Sequence, residues 1–159
     1  ILRAMKENDI LAYIQPVFVD LDMNTVEPAI GTHRMEGIYA WKTMLDLGIH
    51  ASGGSDAPVV SFDAMENIYF AVTRKNINGE PKEGWIPSER LTVDEAVKLF
   101  TKYAAYASYT EDENGTIETG KNADFVVLEK DLYEIDPDEI KTTKVDMTIL
   151  GGETVFERK

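Results

Sequence analysis

One carboxylate stands out along this chain as a residue that could carry chemistry. The stretch HASGGSDAPV, residues 50–59, brings Asp56 to the end of a short predicted strand, among glycine, serine and proline. An aspartate in such surroundings commonly shapes a turn, because its side chain bonds to the nearby backbone. At the carboxyl end of a barrel strand, the same carboxylate can bind a metal ion or accept a proton. The elements around Asp56 bear on this choice.

The residues before Asp56 predict a parallel strand-helix-strand unit. The run ILAYIQP, residues 10–16, is a short apolar strand that stops at a proline, and IHASGGSD forms the next strand. Between them, residues 17–33 have the mixed composition of a long loop. Apolar residues near helical spacing then predict a helix over residues 33–48, which ends at Gly48.

Two further helices are predicted after Asp56. Ser61 is expected to cap the first of them. Thr92 and Glu95 have the spacing of a capping box at the start of the second, LTVDEAVKLFTKYAAYASY. The two helices are joined by a polar loop that contains glycine and proline.

The residue pattern of the sequence changes near residue 110. Short β-branched runs now alternate with Gly, Asn and Asp, and Gly151 and Gly152 predict a tight hairpin. We therefore expect an α/β fold with parallel strands over residues 1–110 and a small antiparallel β unit over residues 111–159.

Composition excludes several classes of protein. The 159 residues are 43% hydrophobic and 28% charged, as in an ordinary soluble globular protein. No apolar run approaches the roughly 20 residues of a membrane span. A net charge of -13 argues against a nucleic-acid partner, since phosphate binding requires clustered Lys and Arg. Without cysteine, neither a disulfide nor a thiolate zinc site can form.

The first residues, ILRAMKENDI, predict a helix that is already under way, without an N-cap or an initiator methionine. They also lack the basic and apolar segments of a signal peptide. We therefore expect the chain to be a piece of a longer protein.

Four motifs follow one another over nearly the whole chain: GSDAPV, LTVDEAVKLFTKYAAYA, GTIETGKNADFVVLEKD and GGETVFE. Their order resembles the C-terminal part of the amidohydrolase superfamily of metal-dependent hydrolases. Within it, the chain is most similar to the predicted metal-dependent hydrolases with a TIM barrel, a group that includes enzymes acting on N-substituted formamides.

This resemblance implies the C-terminal portion of a (β/α)8 barrel plus part of a small β-sandwich that both chain ends build. The strand ending at Pro16 would be barrel strand seven and the strand ending at Asp56 would be strand eight. Asp56 would bind the catalytic metal and take the proton from the attacking water. The implied enzyme is cytoplasmic and hydrolyses a C–N bond of a small amide or formamide with one or two divalent metals, zinc being expected.

The family's other metal ligands would all precede Ile1, as they lie on earlier barrel strands. His33 and His50 match none of them, and we expect the first to be a loop residue and the second a packing residue. We therefore expect the isolated chain to bind no metal and to be inactive, and its missing N-terminal part to be a partner. A homodimer is a further expectation, because a partial barrel exposes strand edges. The alternative is a noncatalytic domain that serves structure or association.

Three other side chains are candidates for substrate binding. Gln15 ends the first strand and could line a pocket, the alternative being a solvated loop residue. Arg34 could bind a carboxylate on the substrate, or form a salt bridge at a helix start. Trp85, in the loop between the two later helices, could be a pocket wall or lid. Trp41 is expected in the core.

Overall fold

A two-stranded parallel sheet lies in the first part of the computed structural model, which describes residues 1–159. Strand β1 (Ala12–Ile14) pairs with strand β2 (Ala51–Gly53), with Ile14 opposite Gly53. Ala12, Ile14 and Ala51 are buried in the core, whereas Tyr13 is exposed on the other face. The predicted parallel unit is confirmed.

Seven α-helices are distributed along the chain, and none of them is long and apolar enough to span a membrane. They are α1 (Leu2–Glu7), α2 (Phe18–Asp22), α3 (Val26–Ile30), α4 (Trp41–Asp46), α5 (Ala64–Thr73), α6 (Val93–Leu99) and α7 (Lys102–Ala107). Short 3-10 helices lie at Thr32–Arg34, Pro87–Glu89 and Pro137–Thr142.

The connection between β1 and α4 differs from the prediction. The expected loop over residues 17–33 contains α2 and α3, and Val19 of α2 is completely buried, which fixes this helix to the core. The expected helix over residues 33–48 begins only at Trp41. Gly37 and Tyr39 have φ values of 87° and 49°, which an α-helix cannot contain.

The predicted N-cap of α5 is wrong, and the predicted capping box of α6 is confirmed. Ser61 does not cap α5; the side chain of Asp63 does, accepting the Met65 N–H at 2.8 Å. The Ser61 hydroxyl instead accepts the N–H of Asp63 at 3.1 Å. The capping box of Thr92 and Glu95 is present at the start of α6.

The second predicted helix is divided into α6 and α7. Thr101 separates them with φ and ψ of -129° and -97°, far from helical values. Its hydroxyl donates to the carbonyl oxygen of Val97 at 2.9 Å. This local bond is an alternative to the helical backbone pattern and marks the break.

Three antiparallel strands form the predicted β unit. They are β3 (Phe125–Leu128), β4 (Val145–Leu150) and β5 (Glu153–Glu157), in the order β3-β4-β5. Gly151 and Gly152 form the turn between β4 and β5, both with positive φ, so the predicted hairpin is confirmed.

The motif GTIETGKNADFVVL connects this sheet to the end of α7. The Nζ of Lys121 donates to the carbonyl oxygen of Glu111 at 2.6 Å and to the Thr116 hydroxyl at 2.7 Å. Asp124 accepts the N–H of Gly151 at 2.6 Å, on the β4–β5 turn. Within this chain the motif therefore holds a loop and a hairpin together.

The core extends from β1 to the segment that connects β3 and β4. Seventeen buried residues form it, including Leu132 and Ile140 from the segment between β3 and β4. The Pro137–Thr142 helix lies against α5, where Lys75 pairs with Asp138 at 2.7 Å. The boundary near residue 110 stays a prediction.

Candidate functional site

The carboxyl ends of β1 and β2 lie at one edge of the parallel sheet. The N–H of Gly54 donates to the carbonyl oxygen of Ile14 at 2.9 Å, which continues the strand pairing one residue beyond β2. Gln15 follows β1 at this edge and Asp56 follows β2. In open and closed parallel sheets, this edge is where ligands bind.

The conformation of Asp56 turns the chain away from the strand. Its φ is 61°, in the left-handed region that aspartate tolerates better than most residues. Its carbonyl oxygen accepts the Val59 N–H at 2.9 Å, which closes a turn, and the Ser55 hydroxyl accepts the Ala57 N–H at 3.3 Å. The backbone therefore makes the turn while Asp56 itself stays exposed to solvent.

The residues of this chain do not form a metal centre by themselves. A catalytic zinc site commonly has three protein ligands, and no group of three His, Cys, Asp or Glu side chains converges anywhere in the structure. Asp56 can supply one carboxylate. The remaining ligands of such a centre would have to come from outside this chain.

Position 53 has no room for a side chain, because Phe100 packs against this end of β2. A β-carbon at this position would lie 2.6 Å from Cζ of Phe100, the residue that ends α6. Gly54 has nothing within 4 Å of its β-carbon position. The glycine pair thus lets Phe100 pack against β2 and leaves open space one residue nearer to Asp56.

The other predicted site residues lie in different places. Gln15 is half-buried beside the strand ends, whereas His33 and Arg34 are exposed in the 3-10 helix at Thr32–Arg34. His50 precedes β2 and stacks on the ring of Tyr106 with centroids 4.2 Å apart, as its predicted packing role requires. The substrate-binding roles of Gln15 and Arg34 stay predictions.

Trp85 belongs to an aromatic cluster around a buried cation. Its ring centroid lies 5.8 Å from that of Tyr39, and the guanidinium of Arg74 lies 4.6 Å from the ring of Trp41 and 5.5 Å from that of Trp85. Trp41 is buried, as predicted. The structure brings Trp85 together with this cluster rather than with the strand ends, and its role in a pocket stays a prediction.

The guanidinium of Arg74 donates hydrogen bonds to two backbone carbonyl oxygens, which carry no formal charge. Its Nε donates to the carbonyl oxygen of Trp85 at 2.6 Å, and its Nη1 donates to that of Tyr39 at 3.0 Å. Burial lowers the pKa of Arg74 to about 10, although the nearby carboxylate of Glu89 opposes this shift. Glu89 is itself buried and accepts the Thr43 N–H at 3.0 Å.

Tyr39 lies near the end of the long segment between β1 and α4 and bonds back to α2. Its hydroxyl donates to a carboxylate oxygen of Asp22, at the end of α2. Burial, and then this hydrogen bond, raise the pKa of Tyr39 above its usual range. The bond joins the two ends of the segment 22–39, whose middle carries His33 and Arg34.

Asn67 is a residue near the site that the sequence analysis missed. It is 1% exposed on α5, and its Oδ1 accepts the backbone N–H of Val17 at 3.1 Å, just after Gln15. The sequence carries no clear signal for it, because Asn67 lies on the opposite side of the helix from Met65 and Tyr69 and is buried only because α5 is covered on all sides.

A cavity of about 700 Å³ lies between α6 and α7 on one side and β3 on the other. Ten of its nineteen lining residues are hydrophobic, among them Phe100 and Phe125. None of the predicted site residues lines it. Beside it, β3 is an edge strand, and Val126 is 51% exposed.

Comparison with known proteins identifies relatives over most of the chain. YtcJ of Bacillus subtilis (strain 168) is 38% identical over 145 residues, which is 91% of this chain and 27% of that protein. The N-substituted formamide deformylase of Arthrobacter pascens is 34% identical over 121 residues, 76% of this chain and 22% of that enzyme. The chain thus spans about a quarter of the length of these relatives.

Solved crystal structures show the same fold. An uncharacterized metal-dependent hydrolase from Pyrococcus horikoshii OT3 aligns with a TM-score of 0.75 at 20% identity, over 86% of this chain and 27% of the other. One from Pyrococcus furiosus aligns with a TM-score of 0.65 at 26% identity, over 77% and 24%. The family model that describes the amidohydrolase family matches residues 2–156. The chain therefore belongs to the amidohydrolase family.

Proposed function

We propose that this chain supplies one carboxylate, Asp56, to the active site of a metal-dependent hydrolase that cleaves the C–N bond of a small amide or formamide. One observation carries the proposal: Asp56 is exposed at the shared carboxyl edge of two parallel strands, in a chain of the amidohydrolase family. This edge is where barrel enzymes place their catalytic groups.

The remaining metal ligands belong, in this proposal, to the part of the whole protein that this chain does not span. Two findings support it: the chain covers about a quarter of its relatives' length, and no three metal-binding side chains converge within it. The chain alone would then hold no metal and hydrolyse nothing. Zinc as the metal and the cytoplasm as the location follow the family resemblance.

Asp56 would act by moving a proton. A carboxylate oxygen of Asp56 accepts a proton from the attacking water, while the water oxygen bonds to the carbonyl carbon and the C=O π electrons move onto the carbonyl oxygen. The carboxyl group of Asp56 then gives the proton to the nitrogen as the C=O bond re-forms and the C–N bond breaks, so that the products are an acid and an amine. An exposed carboxylate on a turn, free to face a substrate, suits this role.

The substrate class is proposed from a relative. The Arthrobacter pascens protein is named for N-substituted formamides, and 76% of this chain aligns with it. Of the three predicted substrate contacts, Gln15 is the one that follows a strand at the same edge of the sheet as Asp56. We propose it as a polar contact to the substrate, with Arg34 and Trp85 as further candidates.

The antiparallel sheet would be completed by the rest of the protein. Apolar side chains are exposed on it, with Val126 at 51%, Val155 at 59% and Phe156 at 49%. Both β3 and β5 are edge strands. Exposed apolar faces and free edges favour pairing with another sheet, and we propose that residues 111–159 form part of a sandwich whose other strands lie outside this chain.

The test compares this chain with a polypeptide that extends it to the length of its relatives. Zinc is measured by elemental mass spectrometry, and release of formate from an N-alkylformamide is followed. We expect metal and activity in the long polypeptide, and loss of about 100-fold or more in rate for Asp56→Asn. We expect neither in the chain alone.

Asp63→Asn is the matched control, because asparagine caps a helix as well as aspartate does. The proposal fails if Asp56→Asn retains the activity, or if the control loses it equally. A long polypeptide that binds no metal and is inactive would favour the noncatalytic alternative. Stoichiometric zinc in the chain alone would show that its ligands are complete.

A further inference from the structure

A buried side chain connects the loop after β1 to the helix that follows the Asp56 turn. Asn67 of α5 accepts the N–H of Val17 through Oδ1 at 3.1 Å. Its Nδ2 donates to the carbonyl oxygen of Asp63, the cap of α5, at 3.0 Å. The first of these bonds joins residues 50 positions apart. One amide group therefore holds two segments that are distant in sequence.

Both partners of the hydrogen bond between Val17 and Asn67 are buried. Val17 is 7% exposed, and the preceding Pro16 is fully buried, so the Val17 N–H is removed from water. A buried backbone N–H without a partner is costly. Asn67 is 1% exposed and supplies the acceptor.

The link lies just beyond the last hydrogen bond between the strands. That bond runs from the Gly54 N–H to the Ile14 carbonyl oxygen at 2.9 Å. After it, the two loops separate, with Gln15 on one and Asp56 on the other. The next hydrogen bond between these segments is that of Asn67 to Val17.

We infer that Asn67 is a positioning residue that keeps the loop after β1 and the turn after β2 in register, so that Gln15 and Asp56 face the same space. The inference rests on the proposed function for what Asp56 does there. The link itself can be tested without any metal or substrate.

The experiment is amide hydrogen exchange by NMR on the 159-residue chain, with Asn67→Ser as the variant. A serine hydroxyl can still bond to the carbonyl oxygen of Asp63 but cannot reach Val17. Exchange at Val17 and at Gly54 should accelerate by about tenfold or more relative to amides elsewhere.

Thr73→Val is the matched control on the same helix. Thr73 is 4% exposed, and its hydroxyl donates to the Tyr69 carbonyl oxygen at 2.8 Å, at the opposite end of α5. This variant loses that bond and the acceptor of the Lys75 N–H, but it does not touch the loops that follow β1 and β2. Equal acceleration at Gly54 in both variants would overturn the inference, and so would acceleration at Val17 alone.

Asn67→Gln keeps the inference testable if the serine variant does not fold. Glutamine retains the amide group, with an oxygen for the Val17 N–H and a donor for the Asp63 carbonyl oxygen, on a side chain one methylene longer. It should keep the slow exchange at Val17 and Gly54, and rapid exchange there would contradict the inference.

In the long polypeptide, Asn67→Ser should lower the rate of N-alkylformamide hydrolysis, and Asn67→Gln, which keeps the amide group, should retain more of it. An unchanged rate with Asn67→Ser would overturn the positioning role. If the wild-type polypeptide is inactive, the proposed function fails, while the exchange measurement still decides whether Asn67 sets the register.

Discussion

The ring of Phe100 lies directly against Gly53, the last residue of β2. A β-carbon on Gly53 would come within 2.6 Å of the ring, whereas one on Gly54 would meet nothing within 4 Å. The two neighbouring glycines therefore serve different purposes. The first accommodates the end of α6, and the second lies at the edge that carries Asp56.

Gly53→Ala should lower the free energy of unfolding by about 1–3 kcal/mol, because the added methyl group forces the Phe100 ring or the strand to move. Urea denaturation measures this change. Gly54→Ala, the matched control, should stay within about 1 kcal/mol of the wild type. Equal effects of the two substitutions would show that Phe100 does not restrict the strand end. Adding Phe100→Leu to Gly53→Ala should recover part of the loss.

Arg74→Lys should destabilise the protein by about 1–3 kcal/mol, although it keeps the positive charge. The compact ammonium group cannot stack on Trp41 and donate to the carbonyl oxygens of Tyr39 and Trp85 at once. The two tryptophans of the chain both flank Arg74, so unfolding is followed by their fluorescence.

Arg3→Lys, on the exposed side of α1, is the control for the charge-conserving change. It should leave the unfolding midpoint unchanged. If Arg74→Lys behaves in the same way, the guanidinium geometry contributes nothing to stability.

Two elements that depend only on residues close together in the sequence were predicted correctly. The capping box at Thr92 and the hairpin at Gly151 depend on short spacings, and both are present. The parallel pairing of β1 and β2 followed from two apolar runs and the helix between them. The family was predicted from the order of the motifs.

Features that depend on distant residues were not predictable in the same way. Helix α2 forms where a loop was expected, because Val19 reaches the core. The bond from Val17 to Asn67 spans 50 positions, and Asn67 lies outside the predicted apolar face of its helix, so no local pattern indicates that it is buried. The role predicted for Trp85 rested on its position in a loop, whereas the structure shows its ring beside Tyr39 and the guanidinium of Arg74.

Tyr39 should make stability fall at high pH. Burial and the bond to Asp22 raise its pKa, so the phenol stays protonated in the fold where the unfolded chain, with a pKa near 10, ionises. The unfolded state then binds fewer protons, and the free energy of unfolding decreases as pH rises above about 10.

Tyr39→Phe should reduce this decrease, as measured by urea denaturation at a series of pH values from 8 to about 11. Tyr109→Phe, at a tyrosine that is 85% exposed, is the matched control. The same slope in the wild type and in Tyr39→Phe would contradict the assignment to this phenol.

Lys121 should stabilise the C-terminal part of the chain through its hydrogen bonds to the loop that follows α7. Its side chain is 16% exposed and donates to Glu111, Asn114 and Thr116, so Lys121→Met keeps the stem but leaves these acceptors without this donor. We expect a loss of about 1–3 kcal/mol by urea denaturation, and faster amide exchange at residues 111–118. Lys82→Met, at a side chain that is 76% exposed and paired only with Glu80, should change neither. If Lys121→Met changes the free energy of unfolding as little as this control does, the motif GTIETGKNADFVVL does not stabilise the loop through Lys121.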